Sequence, residues 1–189
     1  MIRKTALWLL TTAAFLVLLF ADTAVRAQTP ETGQTAPEFI LATPAGDAVS
    51  LSQINRDHQI VLIVLRGFPG YQCPFCTKQV HAFIAKAEQF ADANAEVILV
   101  YPGPPADLGV HAKEFLAMQA PLPKNIHLLI DPDYKFTKQY GLRWDAPHET
   151  AYPASFVLDH EGKVVFRKVS HEHGDRTSPE EILAQLSGK

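Results

Sequence analysis

The sequence predicts an α/β fold in which a central mixed β-sheet is flanked by helices. Three observations support this class. Short apolar runs typical of buried strands alternate with segments of helical apolar spacing, the last two runs are close enough to form a β-hairpin, and a capped helix follows that hairpin. Strands joined by helices and then by a hairpin indicate a sheet with both parallel and antiparallel pairs.

Seven segments have the length and composition of strands. They are residues 38–41, 49–51, 60–65, 96–101, 126–130, 155–158 and 164–169. Helical patterns cover residues 80–90, 110–118 and 134–140. Ser178 precedes Pro179 and stands three residues before Glu181, a capping-box pattern that predicts the start of a last helix.

The N-terminus has the pattern of a signal peptide rather than of folded structure. Arg3 and Lys4 precede an apolar stretch at 6–20, which is short for a membrane span of about 20 residues. We expect a signal peptide at 1–27, cleaved after Ala27, with export to the periplasm or the extracellular space. No stable membrane anchor is then expected, and an uncleaved signal anchor is the minor alternative.

The remaining chain is predicted to be one domain at 36–189, preceded by a polar linker at 28–35. The formal net charge is −3, and removal of three basic residues and one acidic residue with the leader takes it to −5. No run of lysine or arginine appears. These features argue against a nucleic-acid partner.

Two cysteines, the only ones in the chain, form a Cys-Pro-Phe-Cys motif at Cys73 and Cys76. The motif lies between a buried strand with its Gly/Pro-rich turn and the start of a helix. Pro74 suits the first helical position, so Cys73 is expected at the N-cap with Cys76 beneath it, closer to the sheet. The partial positive charge of a helix N-terminus favours a thiolate. The pattern predicts a redox-active dithiol.

Two cysteines at this spacing have other possible uses. A structural disulfide across one helical turn would remove little entropy from the unfolded chain. A zinc site needs about four ligands, so His81, His171 or His173 would have to complete it. Iron–sulfur ligation by four thiolates is excluded by the cysteine count. The redox interpretation therefore requires no metal and no cofactor.

Four groups of residues resemble the thioredoxin-like superfamily, and most closely its redoxin branch, which contains the alkyl hydroperoxide reductase/thiol-specific antioxidant (peroxiredoxin-like) proteins. The resemblance covers about residues 33–186 and implies a thioredoxin-like fold. The residues that carry it are Ala-Pro-Glu-Phe at 36–39 with Gly46 and Leu51, the Cys-Pro-Phe-Cys motif, Tyr-Pro-Ala-Ser-Phe-Val-Leu-Asp at 152–159, and Gly-Lys-Val at 162–164.

The resemblance also implies a substrate-binding feature at Tyr152 and Pro153. In this superfamily a cis peptide bond precedes the proline, which faces the dithiol. The preceding residue, here Tyr152, offers its backbone to an incoming peptide or disulfide. A trans proline at the start of a strand is the plain alternative.

Two departures separate the subfamilies. Peroxiredoxins have a motif of the form Pro-x-x-x-Thr/Ser-x-x-Cys. Residues Pro69 to Cys76 fit this spacing, but Cys73 takes the place of the threonine or serine. In that register Cys76 is the peroxidatic cysteine, whereas in the thioredoxin register Cys73 attacks and Cys76 resolves. At the position where peroxiredoxins have an arginine, this sequence has Pro153. These departures favour disulfide exchange over peroxide reduction.

Residues 170–176 follow the hairpin and are predicted to return to the dithiol end of the sheet. They contain His171, His173 and Arg176, which are candidates to tune the thiolate or to replace the missing arginine. A polar surface loop is the alternative. Trp144 is a candidate wall of the site, and Arg66 is a further candidate cation.

Three functions follow in order of preference. The first is an exported thiol–disulfide oxidoreductase acting on a protein or small-molecule disulfide, with an unidentified thiol as electron donor or acceptor. The second is a peroxiredoxin-like thiol peroxidase acting on hydroperoxides. The third is a metal-carrying thioredoxin-fold binding module in which His171 or His173 assists the cysteines.

Overall fold

The computed structural model describes residues 28–186, so the predicted signal peptide lies outside the described residues. The strands are β1 (Ile40–Ala42), β2 (Ala48–Ser50), β3 (Gln59–Val64), β4 (Ala95–Gly103), β5 (Ile126–Pro132), β6 (Ala154–Leu158) and β7 (Val164–Val169). The helices are α1 (Leu51–Asn55), α2 (Pro74–Ile84), α3 (Ala87–Asp92), α4 (Leu108–Ala117), α5 (Lys135–Gln139) and α6 (Pro179–Leu186).

The strands form one mixed sheet in the order β2-β1-β5-β4-β3-β6-β7, which confirms the predicted fold class. Strands β3, β4 and β5 are parallel, whereas β6 runs antiparallel to β3 and β7 antiparallel to β6. Val64 at the end of β3 pairs with Ala154 at the start of β6. The cysteine motif, which follows β3, and Pro153, which precedes β6, therefore lie at the same end of the strands.

Helices cover both faces of the sheet, so all six residues of β3 are buried, and the five apolar ones alternate between two apolar clusters. Val61 and Ile63 pack in the cluster that contains Phe83 of α2. Ile60 and Leu62 belong to the opposite cluster. This uninterrupted burial explains why β3 is a continuous apolar run in the sequence.

Two local predictions differ from the structure. The segment 49–51 ends as a strand at Ser50 because Ser50 caps α1, a helix that was not predicted, through a capping box with Gln53. The helix after the cysteine motif begins at Pro74, as predicted, but the helical pattern at 80–90 is divided between two helices, since the backbone of Lys86 leaves helical geometry (φ −112°).

The end of the predicted linker contacts the domain. The backbone N–H of Gly33 donates to the carbonyl of Val164 (2.8 Å), and the N–H of Val164 donates to the carbonyl of Gln34 (2.9 Å). Among the helices of residues 28–186, none combines the length and hydropathy that crossing a membrane requires.

Candidate active site

A tight turn after β3 directs the chain into the cysteine motif. Gly67 has a left-handed backbone (φ 67°), and a Cβ at this position would lie 1.9 Å from the carbonyl oxygen of Pro102. The same carbonyl accepts a hydrogen bond from the N–H of Phe68 (2.9 Å). Glycine is therefore required for the turn to rest against the end of β4.

The start of α2 has the predicted arrangement. Pro74 is the first helical residue and Cys73 is the N-cap, with an extended backbone (φ −75°, ψ 115°). The backbone N–H of Cys76 donates to the sulfur of Cys73 (3.4 Å). The two sulfurs are not bonded to each other. A cysteine side chain thus occupies the place of an ordinary oxygen cap.

The two sulfurs have opposite electrostatic environments. A hydrogen bond from the thiol of Cys76 is the largest influence on Cys73; together with the Cys76 N–H and the charges of Arg176 and Arg66 it outweighs burial and lowers the pKa of Cys73 to about 5. Burial, followed by the hydrogen bond to Cys73, raises the pKa of Cys76. The arrangement stabilises a thiolate at Cys73 and a thiol at Cys76.

Arg176 lies beside the thiolate, as the position of the 170–176 loop predicted. Its Nη2 is 4.0 Å from the sulfur of Cys73. Its Nη1 donates to Oε1 of Gln79 in α2 (3.0 Å), and its Nε donates to the carbonyl of His173 (2.8 Å). The guanidinium is thus held by two elements at the place where a negative charge forms.

Arg66 is buried and forms the second cationic group of the site. Its Nε and Nη2 donate to the two carboxylate oxygens of Glu149 (2.7 and 3.2 Å), and Nη1 donates to the hydroxyl of Tyr71 (2.5 Å). Burial opposes ionisation of Glu149, but hydrogen bonds from Arg66 and His173 outweigh it and lower the pKa of this carboxyl.

An aromatic wall joins this carboxylate to the predicted histidines. Nε2 of His173 lies 2.9 Å from Oε1 of Glu149, and its ring is 5.2 Å from the ring of Trp144. Trp144 stacks on Tyr152 (4.7 Å between centroids), and Tyr152 contacts His171 edge-to-face (4.7 Å). The residues predicted from separate parts of the sequence therefore form one continuous set of contacts, which Arg176 connects to Cys73 through the carbonyl of His173.

The prediction of a cis bond before Pro153 is wrong, since no peptide bond in residues 28–186 is cis. Pro153 does lie at the dithiol end of the sheet. The N–H of Tyr152 donates to the carbonyl of Leu142 (2.9 Å), and the carbonyl of Pro153 accepts from Ser170 (2.8 Å). These contacts hold the segment as an ordinary trans strand start and engage the amide that an incoming peptide would need.

A groove of about 380 Å³, which the sequence did not reveal, opens beside the cysteine motif. Phe75, the exposed residue between the cysteines, forms one side, and the absence of a side chain at Gly174 makes room for its ring: a Cβ there would be 3.3 Å from Cε1 of Phe75. The groove is also lined by Lys78, Gln79, Ala82, Arg176 and Pro179. It runs from Arg176 along α2 and is largely apolar.

The metal-carrying alternative lacks a ligand set. Within residues 28–186, no three histidine, cysteine or acidic side chains converge as metal ligands. His173 is paired with Glu149, His171 packs on Tyr152, and His81 is exposed on α2.

Sequence reasoning missed Glu149, the group on which both Arg66 and His173 converge. A signal was present, because an arginine directly after a buried strand requires an acidic partner if it is itself buried. Glu149 lies in the polar stretch just before Tyr152 and Pro153. Its pairing depends on the path of residues 141–150, which no local pattern specifies.

Comparisons with known proteins agree with this architecture. The model of the AhpC/TSA family matches residues 32–167. The chain is 31% identical over 132 residues to the chloroplastic peroxiredoxin Q of Populus jackii, covering 70% of this chain and 57% of the relative. It is 30% identical over 137 residues to a putative peroxiredoxin bcp of Helicobacter pylori strain J99, covering 70% of this chain and 83% of the relative.

Among solved structures, reduced Prx3 of Vibrio vulnificus in complex with H₂O₂ superposes with a TM-score of 0.68, covering 82% of this chain and 98% of that one at 22% identity. This similarity confirms the thioredoxin-like fold. The chain spans little more than half the length of the plant relatives. The family model nevertheless covers most of the chain, and the chain belongs to the AhpC/TSA family.

Proposed function

We propose that this protein is a peroxiredoxin-like thiol peroxidase in which Cys73 attacks a hydroperoxide and Cys76 resolves the product. The observation that carries the proposal is the thiolate environment of Cys73: a lowered pKa at a helix N-cap, with Arg176 Nη2 4.0 Å from the sulfur. Membership of the AhpC/TSA family supports the peroxidase activity. The peroxiredoxin register alone would assign the attack to Cys76, and the opposite environments of the two sulfurs assign it to Cys73 instead. Thiol peroxidase activity therefore takes precedence over disulfide exchange, which the sequence favoured.

In the first step, the sulfur of Cys73 attacks the terminal oxygen of the hydroperoxide R–O–OH. An S–O bond forms and the O–O bond breaks, so that the thiolate is oxidised to a sulfenic acid and the peroxide is reduced to RO⁻. This alkoxide takes a proton from water and leaves as ROH. Arg176 is placed to stabilise the charge that develops on the departing oxygen.

In the second step, the sulfur of Cys76 attacks that of Cys73. The S–S bond forms as the S–O bond breaks, and the thiol proton of Cys76 leaves with the hydroxide as water. The raised pKa of Cys76 keeps that proton in place until this step. A thiol reductant then returns two electrons by exchange with the disulfide.

The burial of the dithiol favours a small substrate over a protein disulfide. Cys73 is only 1% exposed and Cys76 is fully buried. The Tyr152 amide, which would bind a peptide, already donates to Leu142. A hydroperoxide can approach a recessed sulfur without displacing these contacts, and the groove beside Phe75 offers space for an apolar R group.

Stopped-flow oxidation of the reduced protein tests the proposal. We expect fast loss of both thiols with an organic hydroperoxide and slow reduction of insulin disulfides. The Cys73→Ser variant should be inert to peroxide. If the reduced wild-type protein reduces insulin rapidly but reacts with hydroperoxides no faster than a free thiol, it is a disulfide exchange enzyme and the proposal is wrong.

A further inference from the structure

We propose that His173 is a positioning residue: its contact with Glu149 holds the 170–176 loop so that Arg176 lies against the sulfur of Cys73. The relevance of this contact to peroxide reduction rests on the proposed function. Its effect on the Cys73 thiol does not, because that effect can be measured without any peroxide.

The anchor of this arrangement is Glu149, whose side chain is only 11% exposed. Two hydrogen bonds from Arg66 fix both carboxylate oxygens. Arg66 lies two residues after the end of β3, and its own side chain is 4% exposed. A carboxylate in paired, bidentate contact with a buried arginine has little freedom to move. Glu149 is thus attached to the rigid centre of the sheet.

His173 connects this anchor to the arginine through both its side chain and its backbone. Its ring nitrogen Nε2 lies 2.9 Å from Glu149, and its carbonyl oxygen accepts the hydrogen bond from Nε of Arg176 (2.8 Å). The Trp144 ring packs against the imidazole. Fixing the His173 side chain therefore also fixes the acceptor that orients the guanidinium.

A second ion pair, at the end of this loop, is less able to hold the loop in place. Lys168 and Asp175 are 2.7 Å apart, but the side chain of Asp175 is more than half exposed. Solvated ion pairs contribute little. Gln79, the other partner of the guanidinium, orients Nη1, and its Nε2 donates to the carbonyl of Thr177 (3.2 Å), so it holds the chain just after the loop but not the acceptor of Nε.

The test measures the pKa of Cys73 from the ultraviolet absorbance of its thiolate in the reduced protein. The groups that act on this thiol are Cys76, Arg176 and Arg66, and Tyr101 lies nearby. His173 is the residue to replace, because removing Glu149 would also leave the charge of Arg66 uncompensated and so act on the thiol directly.

We expect His173→Ala to raise the pKa of Cys73 by about 1, the scale of an opposite charge lost from within a few ångströms. His173→Gln keeps a hydrogen-bond donor and should restore most of the shift. In an Arg176→Ala background, His173→Ala should have no further effect, because its action passes through the arginine.

The matched control is His127→Ala. His127 forms an equivalent contact with Glu96 (2.7 Å), but at the amino ends of β4 and β5, the edge of the sheet opposite the dithiol. This variant should leave the pKa of Cys73 unchanged. An unchanged Cys73 pKa in His173→Ala, or the same shift in the Arg176→Ala background, would overturn the inference.

The two proposals fail separately. If His173→Ala shifts the thiol pKa through Arg176 while the wild-type protein is inert to hydroperoxides, the proposed function is wrong and the positioning role stands. If the wild-type protein reduces hydroperoxides and the pKa does not move, the positioning role alone is wrong.

Discussion

Cys73 and Cys76 are one helical turn apart, yet their surroundings favour opposite protonation states. The N-cap position gives Cys73 a backbone donor and two nearby arginines, whereas Cys76 points into the apolar core beneath α2. The Cys76 thiol itself donates to the Cys73 sulfur. Each cysteine therefore influences the protonation state of the other. For Cys76 to be the thiolate and Cys73 the thiol, the helix would have to start at a different residue.

This dependence predicts the effect of removing the Cys76 thiol. Cys76→Ala deletes the hydrogen bond that contributes most to the low pKa of Cys73, so that pKa should rise by about 1 or more. The pH profile of alkylation by iodoacetamide measures it. Cys76→Ser, which keeps a donor, is the control and should show a smaller rise. Equal profiles for the alanine variant and the wild-type protein would contradict the assignment.

At the residue scale, the sequence predicted the groups that lie near a recognisable motif. The structure has Cys73 at the N-cap and Arg176 beside it, as predicted, because the direction of β7 returns residues 170–176 to the site; the redox role of the dithiol stays a prediction. Glu149 was missed because a buried arginine indicates only that an acidic partner exists; which acidic residue it is depends on the chain path that brings Glu149 to Arg66 and His173.

At the scale of elements, the turn between β3 and α2 determines where the cysteines lie. Gly67→Ala would place a methyl group against the backbone of Pro102 and strain a left-handed residue. We expect a loss of about 2 kcal/mol or more in the free energy of unfolding, measured by denaturant titration.

The control for this turn is Gly109→Ala. Gly109 lies within α4 and a Cβ there would meet no atom within 4 Å, so the variant should be more stable by up to about 1 kcal/mol. If both alanine variants had equal stability, the turn would tolerate a side chain and would not fix the motif.

The groove beside α2 predicts a preference among substrates. Phe75→Ala should lower kcat/KM for a bulky organic hydroperoxide by about tenfold, because an apolar contact of this size contributes about 1–3 kcal/mol. The value for hydrogen peroxide, which has no R group, should stay the same. Met118→Ala, an exposed apolar residue outside the groove, is the control. An equal loss for both peroxides would exclude the groove as a binding surface.

The elements whose bounds the sequence predicted best follow a turn or a capping signal. Strand β7 has the predicted bounds, and Ser178 caps α6 through Glu181 as expected. The short helix α1 was missed because one residue, Ser50, both ends a strand and caps a helix. The division near Lys86 was missed because the apolar spacing continues through it.

For the whole molecule, the low pKa of Cys73 couples the redox site to stability. An unfolded cysteine titrates near about 8.5, so the folded state binds fewer protons between that value and about 5. The stabilisation from this group is present above the unfolded pKa and is lost as pH falls towards about 5. The slope is at most about 1.4 kcal/mol per pH unit.

Denaturant titrations of the reduced protein between these pH values measure this slope. The Cys73→Ser variant is the reference, since every other titrating group is common to both proteins. The difference between the two free energies of unfolding should shrink as pH falls. Parallel pH profiles would show that Cys73 is not a thiolate in the folded protein.

Locating the sulfenic acid shows whether Cys73, rather than Cys76, reacts with the hydroperoxide. Each serine variant would be treated with one equivalent of an organic hydroperoxide, trapped with a sulfenic-acid reagent and analysed by peptide mass spectrometry. We expect rapid labelling of Cys73 in Cys76→Ser and no labelling of Cys76 in Cys73→Ser. Rapid sulfenic acid formation at Cys76 in the Cys73→Ser variant would contradict this expectation.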